Sequence, residues 1–255
     1  MSVPLVSVVI PCRDDGRYLE EALASITAQT LPGREVLVVD DGSTEAQTRQ
    51  LFDAWSRSDA RLLRLPAVGI SAARNLAIAQ ARGEFILPLD ADDRIAPRYL
   101  ERAVDLLERE PAVGIVECEA ELFGDVSGPW NRPPFRMPHY LLGNTIAPAA
   151  LFRKADFERT RGYNPNMVHG WEDFDLWLSL LELGLGVARL PETMFFYRQR
   201  PRSRSRKLSQ DRRTGWAYAR ILLNHKRLYA RHPQILPRFG ARMARTLLRE
   251  LKISS

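Results

Sequence analysis

The sequence predicts an α/β protein in which a mostly parallel central sheet is flanked by helices, with basic helices following at the C-terminus. Short β-branched runs alternate with segments of helical periodicity at intervals typical of β–α–β units. Two of the predicted strands end in groups of carboxylates, which suits the ligand-binding edge of a parallel sheet. The 255 residues are enough for one domain of this kind and a small appendage.

Each element is predicted from its own local pattern. Residues 6–10 are a β-branched run typical of a strand buried on both faces, whereas 18–28 place apolar residues on one helical face. Pro97 starts a helix in its first turn, and the proline- and arginine-rich 130–138 is predicted to be a loop. The predicted strands are 6–10, 35–39, 61–65, 85–89, 113–117, 186–190 and 195–198. The predicted helices are 18–28, 45–58, 71–81, 97–109, 171–183, 207–229 and 237–252.

Cysteine use and hydropathy indicate the compartment. Cys12 and Cys118 have neither metal-site spacing nor a pattern of bridges, so a reducing compartment is expected. No run approaches the ~18 consecutive apolar residues of a transmembrane helix. Met1 leads directly into the first apolar run, without the basic region and cleavage site of a signal peptide. We therefore expect a cytoplasmic protein.

The two carboxylate groups that follow strands should face one crevice at the sheet edge. Asp90 and Asp92 are one residue apart, and a hard divalent cation such as Mg²⁺ or Mn²⁺ prefers oxygen ligands; a solvated acidic loop is the alternative. Asp40 and Asp41 could accept hydrogen bonds from a base or a ribose, although Asp-Gly-Ser is also ordinary turn chemistry.

A third acidic pair, Glu172-Asp173, follows Trp171 at a predicted helix start. An attacking hydroxyl needs a general base because its own pKa lies far above 7. An indole neighbour desolvates a carboxylate and raises its pKa, whereas the helix N-terminus lowers it. Helix capping is the alternative, since acidic residues are favoured in the first turn.

Several motifs in order carry a resemblance to a known family. They are Val6-Ser7-Val8-Val9-Ile10-Pro11, Val38-Val39-Asp40-Asp41-Gly42-Ser43-Thr44, Gly69 with Ala73-Arg74-Asn75, Gly83-Glu84-Phe85-Ile86, Leu89-Asp90-Ala91-Asp92-Asp93 and Gly170-Trp171-Glu172-Asp173-Phe174-Asp175-Leu176. Over roughly residues 3–206 the chain resembles family 2 glycosyltransferases of the GT-A fold. The resemblance implies an inverting transfer of a sugar from a nucleotide-diphosphate sugar to an acceptor hydroxyl.

The resemblance also implies residue roles. Asp173 matches the catalytic base, with Glu172 nearer the acceptor, and Asp92 matches the ligand of Mn²⁺ or Mg²⁺. The residues expected to contact the nucleotide-sugar are Pro11, Asp40, Asp41, Arg74, Asp90, Ala91 and Arg200. The expected donor is a UDP-sugar, and the acceptor is a glycan, a lipid-linked molecule or another hydroxyl compound. We expect a catalytic domain over 1–205 and a basic helical extension over 206–255.

One position departs from the family pattern. Tyr197-Arg198-Gln199-Arg200, with Ser203 and Ser205, resembles the family's closing segment, but many members carry a metal-binding histidine where this chain has Arg200. A guanidinium has no lone pair for a metal, although it suits phosphate oxygens. Arg200 is therefore expected to pair with the donor diphosphate.

Two other functions fit parts of the pattern. A nucleotidyltransferase would need a glycine- and lysine-rich segment after the first strand, where this chain has Pro11-Cys12-Arg13-Asp14-Asp15. A non-catalytic nucleotide-sugar binding module would be expected to lose the base, but Glu172-Asp173 is intact. Dinucleotide-dependent oxidoreductases and P-loop enzymes are disfavoured because their glycine motifs are missing.

The C-terminal segment is strongly basic. The formal net charge is +6, but 203–255 alone contain 14 Lys and Arg residues against Asp211 and Glu250, so the rest is acidic. An apolar stripe of Phe239, Met243, Leu247 and Leu251 could pack on the catalytic domain, on a second subunit, or on the inner face of an anionic membrane. Nucleic-acid binding is not expected, because aromatics are few and the body is acidic.

Overall fold

One mixed sheet organises the fold in the computed structural model, which describes residues 4–200 and 214–252. The strands are β1 (Val6–Cys12), β2 (Arg34–Asp41), β3 (Arg61–Leu65), β4 (Phe85–Pro88), β5 (Arg94–Ile95), β6 (Val113–Gly124), β7 (Gly128–Pro129), β8 (Leu151–Arg153) and β9 (Gly186–Gln199). The α-helices are α1 (Gly16–Thr27), α2 (Ala46–Asp53), α3 (Ile70–Gln80), α4 (Tyr99–Arg109), α5 (Lys154–Glu158), α6 (Glu172–Glu182), α7 (Thr214–Asn224), α8 (Lys226–Ala230) and α9 (Leu236–Lys252). Two short 3₁₀ helices occupy His139–Leu142 and Pro233–Ile235.

The first half of the sheet is parallel, as predicted. The strand order is β3-β2-β1-β4-β8-β6-β9-β5, with β7 paired to β6 outside this path. Strands β1–β4 are all parallel to their neighbours within this half. Every residue of β1 is buried, as expected for a strand covered on both faces. The predicted α/β class, with its sheet flanked by helices, is confirmed.

The second half is more irregular than the sequence indicates. The antiparallel strand β8 lies between β4 and β6, and β9 runs as one strand where two were predicted. Leu190 pairs with Cys118 and Thr193 with Glu119, so Pro191 and its neighbour form a bulge. A bulge accommodates proline because the proline nitrogen has no hydrogen to donate to the ladder.

Two apolar layers cover the sheet. Val8 of β1 points into a cluster with α1 and α4, whereas Val9 points into a second cluster with α3 and α6. This alternation follows from the two-residue period of a strand. The free cysteines Cys12 and Cys118 are both buried.

The C-terminal helices join the second layer. Residue 225 separates α7 from α8, whereas one helix was predicted over 207–229; 207–213 lie outside the described residues. Phe239 of α9 is 2% exposed and packs edge-on against Tyr218 and Tyr229, with ring centroids 5.4 and 4.9 Å away. The start of the apolar stripe therefore packs on the protein body, while Leu247 is 41% exposed. Among the described residues, no helix combines the length and apolarity needed to cross a membrane.

Candidate active site

A cavity of about 750 Å³ lies at the carboxyl ends of β1, β2 and β4. It contains six of the residues that the sequence assigns to donor or metal binding. These are Pro11, Asp41, Asp90, Ala91, Asp92 and Arg200. The two strand-end acidic clusters therefore do face one crevice. Asp40, Arg74, Glu172 and Asp173 are not among the residues that line it.

Asp40 and Asp41 separate because successive strand residues point to opposite sides. Asp41 lies at the cavity and accepts hydrogen bonds from the backbone N–H groups of Val68 (2.7 Å) and Gly69 (3.0 Å). Asp40 is 6% exposed and accepts from the backbone N–H of Ser43 at 2.8 Å. Turn chemistry thus accounts for Asp40, while Asp41 is held firmly at the cavity wall.

The segment Asp90–Asp93 bends sharply after β4. The backbone N–H of Asp93 donates to the carbonyl of Asp90 at 3.1 Å, and this turn brings Asp90 and Asp92 to the same cavity. Burial and the nearby charge of Asp90 raise the pKa of Asp92 to about 6, although Arg200 opposes the shift. Burial raises the pKa of Asp93 well above its usual range. Asp93 accepts from the backbone N–H of Arg198 at 2.8 Å, which ties the end of β9 to the acidic turn.

Arg200 occupies the cavity as a fixed cation. Its Nη2 lies 2.7 Å from Asp92 Oδ2 and also donates to Asp15 Oδ2 at 3.1 Å. The guanidinium therefore bridges the predicted metal ligand and an acidic residue that follows β1. Asp15 was not among the predicted site residues, although its position after the first strand is the kind of signal that identified Asp41 and Asp90.

The carboxylates fit a divalent cation that shares its coordination with a ligand. Among the described residues, no three His, Cys, Asp or Glu side chains form a group that could hold a metal ion. Asp90 and Asp92 supply hard oxygen donors at the open cavity, and their mutual repulsion favours a neighbouring positive charge. Further oxygens would have to come from a bound diphosphate or from water.

Arg74 lies beneath the cavity rather than in it. Its side chain is 2% exposed, and its two terminal nitrogens lie 2.5 Å from Asp90 Oδ1 and 3.1 Å from Glu172 Oε1. The guanidinium also lies over the ring of Tyr163, 5.1 Å from the centroid. Arg74 thus holds Asp90 from the side that faces away from the cavity, and it connects Asp90 to the first turn of α6.

The acidic pair opens α6, as predicted. Trp171 precedes it in a left-handed conformation with φ of +66°, which turns the chain abruptly into the helix. Glu172 is 3% exposed and is bound to Arg74. Asp173 is partly exposed, and its Oδ2 accepts a hydrogen bond from Asn144 Nδ2 at 2.9 Å. Asn144 was not predicted, because it comes from a loop without any recognisable pattern.

Known proteins resemble this chain in sequence and in fold. The sequence profile of glycosyl transferase family 2 matches residues 7–161. Chondroitin synthase of Escherichia coli is 27% identical over 190 residues, which cover 71% of this chain and 27% of that protein. The putative teichuronic acid biosynthesis glycosyltransferase TuaG of Bacillus subtilis is 28% identical over 227 residues, covering 86% of this chain and 88% of TuaG. This chain therefore spans about a quarter of one relative and most of the other.

Solved structures share the fold. TarS 1-349 of S. aureus in complex with UDP-GlcNAc superposes with a TM-score of 0.64 at 18% identity, covering 86% of this chain and 66% of that one. The mannosyltransferase PcManGT of Pyrobaculum calidifontis, in complex with GDP-Man and Mn²⁺, superposes with a TM-score of 0.63 at 23% identity, covering 94% of this chain and 74% of that one. These likenesses confirm the predicted GT-A architecture.

Proposed function

We propose, from the premise that this chain belongs to glycosyl transferase family 2, that it transfers a sugar from a nucleotide-diphosphate sugar to an acceptor hydroxyl. The observation that carries this proposal is the convergence of Asp41, Asp90, Asp92 and Arg200 on one cavity. A cavity of about 750 Å³ is large enough for such a donor. Carboxylates suit its ribose and base, and a guanidinium suits its phosphates.

The proposed reaction is a single inverting displacement. The acceptor oxygen forms a bond to the anomeric carbon while the bond from that carbon to the diphosphate oxygen breaks. Asp173 takes the hydroxyl proton, and the diphosphate leaves with the electron pair. Asp92, with Asp90 beside it toward the ribose, would hold Mn²⁺ or Mg²⁺, which when bound supplies positive charge to the diphosphate.

Arg200 would place a second cationic group beside the leaving diphosphate. Its charge is engaged by Asp92 and Asp15. If Asp92 held a divalent cation, the Arg200 guanidinium would be available to pair with phosphate oxygens. Where many family members carry a histidine that can bind the metal, this chain would thus carry an additional positive charge for the diphosphate.

The substrate classes are proposed from the relatives. TarS is known with UDP-GlcNAc and PcManGT with GDP-Man, so the donor is a nucleoside diphosphate sugar, and we propose a UDP-sugar first. Chondroitin synthase and TuaG are named for polysaccharides. We therefore propose a glycan, lipid-linked or other hydroxyl acceptor in polysaccharide or glycoconjugate biosynthesis.

A ligand screen followed by a turnover assay tests this function. UDP, GDP, UDP-GlcNAc and GDP-Man, each with Mn²⁺, should raise the melting temperature if they bind the native state. Donor hydrolysis or transfer that vanishes in Asp92→Ala supports the metal-assisted transferase. Pyrophosphate-dependent turnover would instead indicate a nucleotidyltransferase, and binding without any turnover would indicate a binding module.

We further propose that residues 1–205 form the catalytic domain and that the extension 206–255 holds it against the inner face of an anionic membrane. Helix α9 exposes Arg238, Arg242 and Arg245, and none of these is in an ion pair with a carboxylate in the described part of the chain. Exposed cations beside Leu247 suit an anionic lipid surface. This location is cytoplasmic; dimerisation through the same helices is the alternative.

A further inference from the structure

Asn144 connects an unpatterned loop to the proposed base. It lies between the 3₁₀ helix His139–Leu142 and β8, and its Nδ2 donates to Asp173 Oδ2 at 2.9 Å. The two residues are 29 positions apart in sequence, so tertiary structure alone brings them together.

The orientation of the Asn144 amide follows from its other partners. The backbone N–H of Ile146 lies 3.1 Å from Oδ1, and a backbone N–H can only donate, so the atom facing it must be the oxygen. The hydroxyl of Tyr140 donates to the same oxygen at 2.9 Å. The amide nitrogen therefore faces Asp173. Because an NH₂ group can only donate, it requires an acceptor there, which an ionised carboxylate provides.

The loop around Asn144 is anchored to the sheet by a buried charge. Glu117 of β6 is fully buried and accepts hydrogen bonds from the backbone N–H of Ala147 and from Arg189 Nε, both at 2.9 Å. The carbonyl of Thr145 accepts from Arg189 Nη2 at 3.2 Å and from Arg132 Nη1 at 3.1 Å. Both guanidiniums also pair with Glu117. The residues that follow Asn144 are thus fixed to β6 and β9, and the protein itself holds the amide in place.

We propose that Asn144 is a positioning residue that orients Asp173 and stabilises its ionised form. This rests on the proposed function, in which Asp173 accepts the proton of the acceptor hydroxyl. A hydrogen bond donated to a carboxylate favours the charged form, and the charged form is the one that acts as a base. The fixed amide also limits rotation of the carboxylate about its side-chain bonds.

Other titratable groups lie near Asp173 and have to be separated from this effect. Arg74 interacts with it favourably, and Glu172 precedes it in the chain. Tyr140 and Tyr163 also interact with it, but burial raises both their pKa values above the ordinary value, so they stay neutral over the range in which a carboxyl titrates. A substitution at Asn144 leaves all of these groups unchanged.

The substitution Asn144→Asp separates positioning from a purely structural role. The new carboxylate keeps an oxygen for Ile146 and Tyr140, so the loop contacts remain. It replaces the donor that faces Asp173 with a second acceptor. When two carboxyl groups lie this close together, the pKa of one of them is raised. We expect the acid limb of the kcat/KM profile to move to higher pH by about 1 unit or more. Tyr140→Phe is the matched control, because it removes a hydrogen bond from Oδ1 but leaves the donor to Asp173 intact.

The decisive measurement does not depend on turnover. The carboxyl carbon of Asp173 can be followed by ¹³C NMR in Asp-labelled full-length protein and assigned by its disappearance in Asp173→Asn. We expect its titration midpoint to be higher in Asn144→Ala, which removes the donor without adding a charge, than in the wild type and Tyr140→Phe, and higher still in Asn144→Asp. A midpoint in Asn144→Ala equal to that of the wild type would overturn the proposal, because the added charge alone can raise the midpoint in Asn144→Asp. If the wild type turned over no donor at all, the proposed function would fail, while the NMR titration would still decide the role of Asn144.

Discussion

Arg74 Nη1 lies 3.1 Å from Glu172 Oε1, and the two side chains are only 2% and 3% exposed. The other terminal nitrogen of the same guanidinium binds Asp90, a residue of the cavity. Glu172 opens the helix that carries Asp173 in its first turn. One buried cation therefore links the proposed donor site to the element that carries the proposed base.

Arg74→Lys should break the link between Asp90 and the helix that carries Asp173. An ammonium lacks the planar fork that binds two carboxylates at once, so either Asp90 or Glu172 loses its partner. We expect the free energy of unfolding to fall by about 3 kcal/mol and kcat/KM to fall with it. Chemical denaturation and donor turnover measure the two effects. Arg82→Lys is the control, because the Arg82 side chain that pairs with Glu35 is 59% exposed. Full turnover in a destabilised Arg74→Lys protein would show that the ion pair only supports the fold.

Asp173→Asn should separate chemistry from donor binding. The amide cannot take the hydroxyl proton, so turnover should drop by roughly 10²-fold or more. Asp173 does not line the donor cavity, so the calorimetric affinity for nucleoside diphosphate should stay close to that of the wild type. Asp41→Asn should instead weaken the binding of the nucleoside diphosphate, because Asp41 lines the cavity. A loss of donor affinity in Asp173→Asn would place Asp173 in the donor site instead.

The parallel half of the fold was predictable because each of its signals is local. The β-branched run that forms β1 is buried throughout, and the carboxylates after β2 and β4 reach one cavity because parallel strands end at the same edge. Strand β8 was not predicted, since 151–153 is too short to show any period. The break at residue 225 was missed because helical periodicity continues on both sides of it.

The candidate site was predictable only where a residue follows a strand or opens a helix. Asp41, Asp92 and Asp173 have such positions. Asn144 does not, and its contact with Asp173 depends on a loop whose geometry is set by the buried charge of Glu117. The sequence also does not distinguish Asp40 from Asp41; the alternation of side chains along β2 does so once the register is known.

Arg200→Gln should change metal and nucleotide binding in opposite directions. Arg200 Nη2 lies 2.7 Å from Asp92, so a cation must displace it, and the variant should bind Mn²⁺ about threefold more tightly or better, because a charged hydrogen bond no longer has to be broken. Loss of a phosphate partner should weaken UDP binding by about tenfold. Calorimetry measures both affinities. The exposed Arg161→Gln outside the cavity lining is the control, and an unchanged Mn²⁺ affinity in Arg200→Gln would refute the competition.

Charge reversal on α9 tests the proposed membrane contact. Each cation near an anionic surface contributes about 1 kcal/mol, so the triple substitution of Arg238, Arg242 and Arg245 to Glu should lower partitioning at least 10²-fold. Flotation with phosphatidylglycerol vesicles measures this, and phosphatidylcholine vesicles should not bind the wild type. The matched control reverses three arginines at α4: Arg98, which precedes the helix at its N-cap, and Arg102 and Arg109 within it. If the α9 variant floats as well as the wild type, the membrane assignment is wrong.

His225 fastens the C-terminal helices to α6. It is 3% exposed, with Nε2 3.4 Å from Asp175 Oδ1 and Nδ1 3.5 Å from Glu182 Oε2. Burial alone would lower the pKa of His225, but the interaction with the two nearby carboxylates outweighs it and raises the pKa to about 9. The folded protein therefore binds this proton more tightly than the unfolded chain, in which a histidine has a pKa of about 6.5.

This difference predicts a loss of stability with rising pH. Because the pKa is raised on folding, the contribution of His225 is complete below about pH 6.5 and disappears as the pH rises through about 9. His225→Gln should thus lower the free energy of unfolding by roughly 3 kcal/mol at pH 6 and by much less at pH 9.5. Urea denaturation at both pH values measures it, with His232→Gln as the control outside this cluster. An equal loss at the two pH values would mean that packing of the ring, rather than its proton, holds the helices.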